Sequence, residues 1–297
     1  MKTLVVGLGM GQLYVKALES LGHQVFTVDI DKNKKSNFKS LTEAVRTMNG
    51  FDAIFICTPN SSHNNLAHIA AKNCVMLFVE KPGLVNKVKW KFLQQSNPLT
   101  RIIMIKNNMW RTVDEEMRIR IKDADEIHIN WINRNRVPSP GSWFTTKKLA
   151  FGGVMCDLMP HLLSMFIGFN NESYKEFKIV SLKKKQRWQL NGLKDTEYGQ
   201  VNLNGRYDVD DWAEIVLQND RQTFKLTADW RSMDKDDRAI HCFKRGELIK
   251  SFDLGLCPES AYAAMIKDVF DNNNNKNEEF WNQHKEYDFW IHDIIND

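Results

Sequence analysis

Five short apolar runs, at residues 3–6, 25–29, 53–57, 75–79 and 102–105, divide the first third of the chain. Each is too short for a buried helix and reads as a strand covered on both faces. Between them the apolar residues change period. Leu13, Ala17, Leu18 and Leu21 recur at helical spacing and Gly22 ends that helix. Residues 41–48, the stretch through Leu66, Ile69 and Ala70, and residues 88–94 read as further helices. Strands that alternate with helices at this pace close into a parallel sheet with right-handed crossovers.

The fourth run ends abruptly in Glu80-Lys81-Pro82. Pro82 has no N–H for a sheet ladder and pushes Lys81 towards extended backbone, so the strand stops there. The C-terminal ends of strands are where open parallel sheets bind ligands. A surface Glu-Lys pair closing an ordinary strand would read the same way, so other features must decide. The first of these is Gly7-Leu8-Gly9-Met10-Gly11, between the first strand and the first helix. Glycines in that turn let the backbone approach a pyrophosphate, which then meets the positive end of the helix. Asp29 closes the second strand, where an acid bonds the hydroxyls of an adenosine ribose. A carboxylate there favours NAD over NADP, although Lys32, Lys34 and Lys35 could reverse the preference. The usual spacing is G-x-G-x-x-G, but position 12 is glutamine. Either Gln12 fills the third place, or Gly11 does and the loop is one residue shorter. Together these features predict a Rossmann-type parallel sheet in an N-terminal domain over residues 1–122.

After residue 122 the alternation of strands and helices fades. Residues 126–133 alternate polar and apolar, as a half-solvated strand does. Runs near 176–182, 197–204, 212–218, 222–230 and 239–243 continue the pattern. They predict a second α/β domain, residues 123–297, around an open and mainly antiparallel sheet. A long excursion over 134–175 holds Trp143, Gly152-Gly153, Asp157 and His161. In a helix, Asp157 and His161 would share a face, and the carboxylate could orient the imidazole as a general base. A capping Asp157 with a satisfied core His161 is the plainer alternative. The double glycine favours the chemical reading, because bare backbone often marks the approach of a ligand. His63 follows Pro59-Asn60 at the start of a helix, where hydrogen bonding to the turn suits it better than catalysis. Ser61 or Ser62 can cap that helix. Residues 261–270 and 280–295 read as helices, with a polar loop at 272–275.

The chain has 297 residues, 42% of them hydrophobic, and a formal net charge of +4 with both signs interspersed. No nucleic-acid partner follows from such a surface. Five scattered cysteines without a Cys-x-x-Cys or a zinc spacing read as reduced thiols of a cytoplasmic protein, with no metal site. The N-terminus lacks the pattern of a signal peptide, and no apolar stretch reads as a membrane span.

The glycine turn, Thr58-Pro59-Asn60-Ser61-Ser62-His63, Glu80-Lys81-Pro82 and the segment from Gly152 to His161 together resemble the Gfo/Idh/MocA family. The resemblance covers most of residues 1–165. It implies a nicotinamide-dependent oxidoreductase acting on a hydroxyl or keto carbon of a sugar, sugar derivative or cyclitol. Lys81 would then bind the reacting hydroxyl and assist proton transfer. His161 would be the main acid/base, with Asp157 its partner or a substrate ligand. Gly7, Gly9, Met10, Gly11, Asp29, Thr58, Pro59, Asn60, His63 and Glu80 would line NAD, or NADP. Trp143 matches a tryptophan common before the double glycine, on the substrate side. The open face of the second sheet suggests a homo-oligomer paired through it. Two other readings are a regulator that senses a dinucleotide or sugar without turnover, and a reductase of a non-sugar substrate such as a bilin. The presence of Lys81, Asp157 and His161 counts against the first, and that of Lys81 against the second.

Overall fold

A computed structural model describes residues 1–171, 173–195 and 198–296. It begins with β1 (Lys2–Val6), α1 (Gly11–Ser20), β2 (Gln24–Val28), α2 (Leu41–Met48) and β3 (Phe51–Ile56). There follow α3 (Asn60–Ala71), β4 (Cys74–Val79), α4 (Lys87–Ser96) and β5 (Arg101–Met104). The five strands form one sheet in the order β2-β1-β3-β4-β5, and every pairing is parallel. The apolar runs fill its centre. Leu4, Val5, Ile54, Phe55, Leu77 and Phe78 are all 0% exposed, each contributing roughly 1.5–3 kcal/mol of transfer free energy. Phe55 and Phe78 stack with centroids 4.2 Å apart. Ser40 and Asn86 cap α2 and α4 through their side chains. β1 is flanked by β2 on one side and β3 on the other, so the chain changes direction between β1 and β3. In open α/β sheets that switch point opens a crevice beyond the carboxyl ends of the strands.

Next come α5 (Glu115–Asp123), β6 (Glu126–Ile132), α6 (Lys147–Ala150), α7 (Val154–Asp157) and α8 (Met159–Asn170). They are followed by β7 (Lys178–Lys185), β8 (Trp212–Gln218), β9 (Thr223–Asp229), β10 (Asp237–Lys244) and β11 (Glu247–Asp253). The second sheet runs β11-β10-β6-β9-β8-β7 and is antiparallel except for the parallel pair β6 and β9. The α/β class and the open, mainly antiparallel second sheet are as the sequence predicts.

Several details differ from the prediction. Residues 198–204 form no strand, and residue 197 lies outside the described residues. There the backbone bends, with Gly205 N–H donating to Asn202 O, and joins residues 139–141 through Asn202 N–H to Pro140 O. β11 was not predicted, because this edge strand carries mostly exposed polar residues. Residues 147–170 are long and apolar enough by composition to cross a membrane, contrary to the reading of the sequence, and 83% of that apolar window is buried inside the protein. Its composition is that of a core segment, broken into α6, α7 and α8.

The chain ends in α9 (Glu259–Asn274) and α10 (Glu278–Asn296), so residues 272–274 are helical rather than a loop. By internal contacts, Met1–Trp110 and the chain from Pro258 onwards form one compact unit, and Arg111–Cys257 forms the other. The division at 122/123 therefore gives way to a discontinuous first unit. The reason is local. α9 lies against α1, with Tyr262 edge-on to Tyr14 at 5.2 Å. Asp288 of α10 accepts the Met104 N–H at 3.0 Å and pairs with Lys106, both residues fully buried.

Candidate active site

In the first unit the glycine turn explains itself by contact. Gly7 has φ +93°, and a Cβ there would sit 2.6 Å from Cys57 O, so only glycine fits. Gly11 opens α1, and a Cβ there would meet Val5 Cγ1 at 2.9 Å. Gly11 thus takes the close helix–strand contact, the loop is one residue shorter than usual, and Gln12 faces solvent. At Gly9 nothing lies within 4 Å of the Cβ position, so this backbone borders open space. Neither α1, after Met10, nor α3, after Pro59, has a side-chain cap. Ser62 instead pairs with Thr58 Oγ1 at 2.6 Å and donates to Pro59 O, so the expected serine cap does not form. Two helix N-termini therefore lie at the carboxyl ends of β1 and β3 without side-chain acceptors, an arrangement suited to a diphosphate.

Asp29 follows β2 directly. It accepts the Leu8 N–H at 2.7 Å, the Asp31 N–H at 2.9 Å and Lys34 Nζ at 3.2 Å. Burial works to raise its pKa, but these donors outweigh burial and hold it below the usual carboxylate range. Each carboxylate oxygen has two lone pairs, and Oδ1 has one left to accept a ribose hydroxyl. The residues present fit a dinucleotide: an open glycine turn, two uncapped helix ends and an ionised acid after β2.

β4 pairs with β3, so Glu80 and Lys81 leave the sheet beside the Thr58-Pro59-Asn60 turn. Glu80 is held firmly. Tyr14 donates its hydroxyl to Oε1 at 2.5 Å, the Lys81 N–H donates to Oε2 at 3.0 Å, and Asn107 donates to the Tyr14 hydroxyl at 3.0 Å. Burial, then the charge of Glu80, raises the Tyr14 pKa well above its ordinary value, so it remains a phenol donor. Glu80 thereby anchors the backbone of Lys81. His63 is fully buried between Thr58 O and Gly83 O, each 2.8 Å from a ring nitrogen, so it serves the turns, as its position in the sequence suggested.

In the second unit Asp157 ends α7 and His161 lies in the first turn of α8, with Leu158 between the helices. Pro160 has no N–H, and the His161 N–H turns to Leu158 O at 3.0 Å, so the expected single helix is hitched. Asp157 Oδ2 accepts the Trp230 indole N–H at 2.9 Å. His161 stacks on Trp131, centroids 5.3 Å apart, and its carbonyl accepts the Ser164 hydroxyl. The double glycine has a different cause from the one expected. A Cβ at Gly153 would lie 1.6 Å from Asp210 O, and one at Gly152 would lie 2.8 Å from Cys156 Sγ. Asp210 caps α7, accepting the N–H groups of Gly153 and Met155 at 3.0 and 2.8 Å. Protein backbone, not a ligand, makes the close approach. Trp143 sits on a short 3-10 turn with its ring stacked on Phe144 at 3.8 Å. Tyr14, Asn107, Trp131, Asp210 and Trp230 escaped the sequence reading because their partners are remote in the chain. Among the described residues no group of three or more His, Cys, Asp or Glu is placed to hold a metal ion.

Residues 1–96 match the family model described as the GFO_IDH_MocA oxidoreductase family, NAD-binding Rossmann fold. Over that stretch the chain is similar to the NAD-binding Rossmann domain of that family. A curated relative, the "Putative UDP-kanosamine synthase oxidoreductase subunit" of Amycolatopsis mediterranei, is 25% identical over 177 residues, 54% of this chain. The match spans about half of that relative, 49% of its length. Among solved structures, GenD2 from gentamicin A biosynthesis, in complex with NAD, is similar over 99% of this chain and 91% of its own, with 14% identity and a TM-score of 0.73. Levoglucosan dehydrogenase with NADH and levoglucosan is similar over 99% and 95%, with 12% identity and a TM-score of 0.68. A myo-inositol dehydrogenase from Corynebacterium glutamicum is similar over 100% and 94%, with 12% identity and a TM-score of 0.70. At these identities the likeness is one of fold. The stretch that matches the family model is thus followed by a second sheet, and the whole fold is like that of these solved structures.

Proposed function

We propose that the protein is an NAD-dependent oxidoreductase that moves a hydride between nicotinamide and a hydroxyl or keto carbon of a sugar, sugar derivative or cyclitol. The observation that carries this reading is Lys81. It stands at the carboxyl end of β4, beside the turn after β3, with its backbone anchored by Glu80 and Tyr14. The names of the relatives, which concern UDP-kanosamine, gentamicin A biosynthesis, levoglucosan and myo-inositol, support the substrate class.

NAD supplies the hydride acceptor, and the protein supplies position and proton transfer. In this reading Lys81 holds the reacting hydroxyl by its ammonium, and His161 takes the proton with Asp157 as its partner. The indole N–H of Trp230 donates to Asp157 Oδ2 and holds that carboxyl group in place. Asp29 selects NAD by accepting a ribose hydroxyl through its remaining lone pair and repelling a 2′-phosphate.

Thermal melting with NAD⁺, NADP⁺ and their reduced forms is the first test. A ligand at a hundred times its Kd should stabilise the fold by about 2.7 kcal/mol, and a shift with none of them would end the proposal. On a substrate so found, Lys81→Ala should lower kcat by roughly a hundredfold or more with cofactor affinity nearly unchanged. Near-normal turnover would remove Lys81 from the chemistry.

A further inference from the structure

Gly83, two residues after Lys81, is held by its carbonyl and by its α-carbon. The carbonyl oxygen lies 2.8 Å from His63 Nδ1, and the other ring nitrogen of His63 lies 2.8 Å from Thr58 O. At the α-carbon, whose φ is +77°, an added Cβ would come within 2.9 Å of His292 Nε2 and 3.3 Å of Met104 Sδ. His63 belongs to the start of α3 and His292 to the end of α10, and both are 0% exposed. Three distant parts of the chain thus meet at the residue that closes the lysine turn.

The chemistry of His63 makes this more than filling of space. A carbonyl oxygen only accepts hydrogen bonds, and a neutral imidazole has a single N–H. A neutral His63 therefore donates either to Thr58 O, in the turn after β3, or to Gly83 O, in the turn after β4. The two turns compete for one proton, and both keep their place only while the ring stays between them. His292 closes the other side of Gly83 without a hydrogen bond from either ring nitrogen, so it acts there by shape.

We propose that His63 and His292 are positioning residues for Lys81, gripping Gly83 so that the lysine turn keeps its register against the Thr58-Pro59-Asn60 turn. The proposal rests on the reading of Lys81 as the group that holds the reacting hydroxyl. Neither histidine needs to touch substrate. Displacing a reacting group by 1 Å costs about a hundredfold in rate, so a loosened Gly83 is felt at Lys81.

The test compares His63→Leu, His63→Gln and His292→Ala. Glutamine keeps one donor for a carbonyl, and leucine keeps none. At saturating NAD and substrate, His63→Leu should lose roughly 10- to 100-fold in kcat. His63→Gln should recover much of that loss, and His292→Ala should fall between them. For His292→Ala cofactor Kd should stay within about threefold of the wild type, because the glycine turn, Asp29 and the Thr58 turn are untouched. A second readout does not need turnover. The rate at which trinitrobenzenesulfonate modifies Lys81, followed by peptide mass spectrometry, should change in His63→Leu and His292→Ala while other lysines react as before. Variants that melt near the wild type yet keep its kcat and its Lys81 labelling rate would overturn the proposal. So would a loss carried wholly by cofactor Kd, which would assign His63 to the Thr58 turn alone. If His63→Leu fails to fold, His63→Gln and His292→Ala carry the comparison. A wild type that turns over no sugar or cyclitol would defeat the functional reading, and the labelling would still decide the grip on Gly83.

Discussion

At Gly153 a single methyl group would have to share space with Asp210 O, 1.6 Å from the Cβ position. The obstacle is backbone, which cannot swing aside as a side chain can. Gly153→Ala should therefore cost roughly 3–5 kcal/mol, the large end of point-mutant effects, and urea denaturation will read it. A ΔΔG below about 1 kcal/mol would mean that the Asp210 cap gives way easily. Gly9→Ala is the control, since nothing lies within 4 Å of its Cβ. At this scale Gly7, Asp29 and Lys81 were legible in the sequence because strand ends and turns announce themselves locally. The cause of Gly152-Gly153 was not, since it lies in Asp210, more than fifty residues downstream in the chain. The partners of Glu80 were hidden for the same reason. Tyr14 reads as a core residue of an amphipathic helix, and Asn107 as a loop residue.

Among the elements, α10 does the most for its size. Asp288 pairs with Lys106 inside the first unit, with exposures of 0% and 1% for the two side chains. Burial pushes both groups towards their neutral forms, and each partner pulls the other back. Removing one partner strands a charge, so Asp288→Ala should cost about 3–5 kcal/mol, whereas Lys106→Met with Asp288→Leu should recover most of it. A double variant no better than the single one would show that Asp288 matters mainly through the Met104 N–H. α10 also carries His284 and His292. Burial, then Lys106, lowers both, His284 well below its ordinary value and His292 to about 3, with Lys87 also lowering His292. A histidine with a depressed folded pKa binds its proton more readily when unfolded. Stability should therefore fall as pH drops from about 6.5 towards 3, by about 1.4 kcal/mol per unit for His292. His292→Leu should flatten that slope in denaturation curves taken across the range, and an unchanged slope would exonerate His292. The elements β1 to β5 were legible because their apolar periods are strong. β11 was hidden by the polar composition of an edge strand, and α6 to α8 by an interruption at Gly152-Gly153 that breaks the helical period.

For the molecule as a whole, the order of elements was legible but their grouping was not. The periodicity of α9 and α10 marks a face to bury without saying against what, and the answer lies in Tyr14 and Met104, far back in the chain. The second sheet is covered by α7 and α8 on one face, and the outer edge strand β7 is largely exposed, with Val180 at 56%. We propose that a second copy of the chain pairs on this sheet, so sedimentation velocity should give at least a dimer. A monomer at tens of micromolar would rule that out. The return of α9 and α10 also bears on how the protein is made. Residues 111–257 leave the ribosome as one uninterrupted stretch, while the first unit waits for its last two helices. Until Asp288 is synthesised, Lys106 has no charge partner and the Met104 N–H no acceptor. The first unit is thus begun before residues 111–257 and completed after them, and the second unit can be complete while the first is still open.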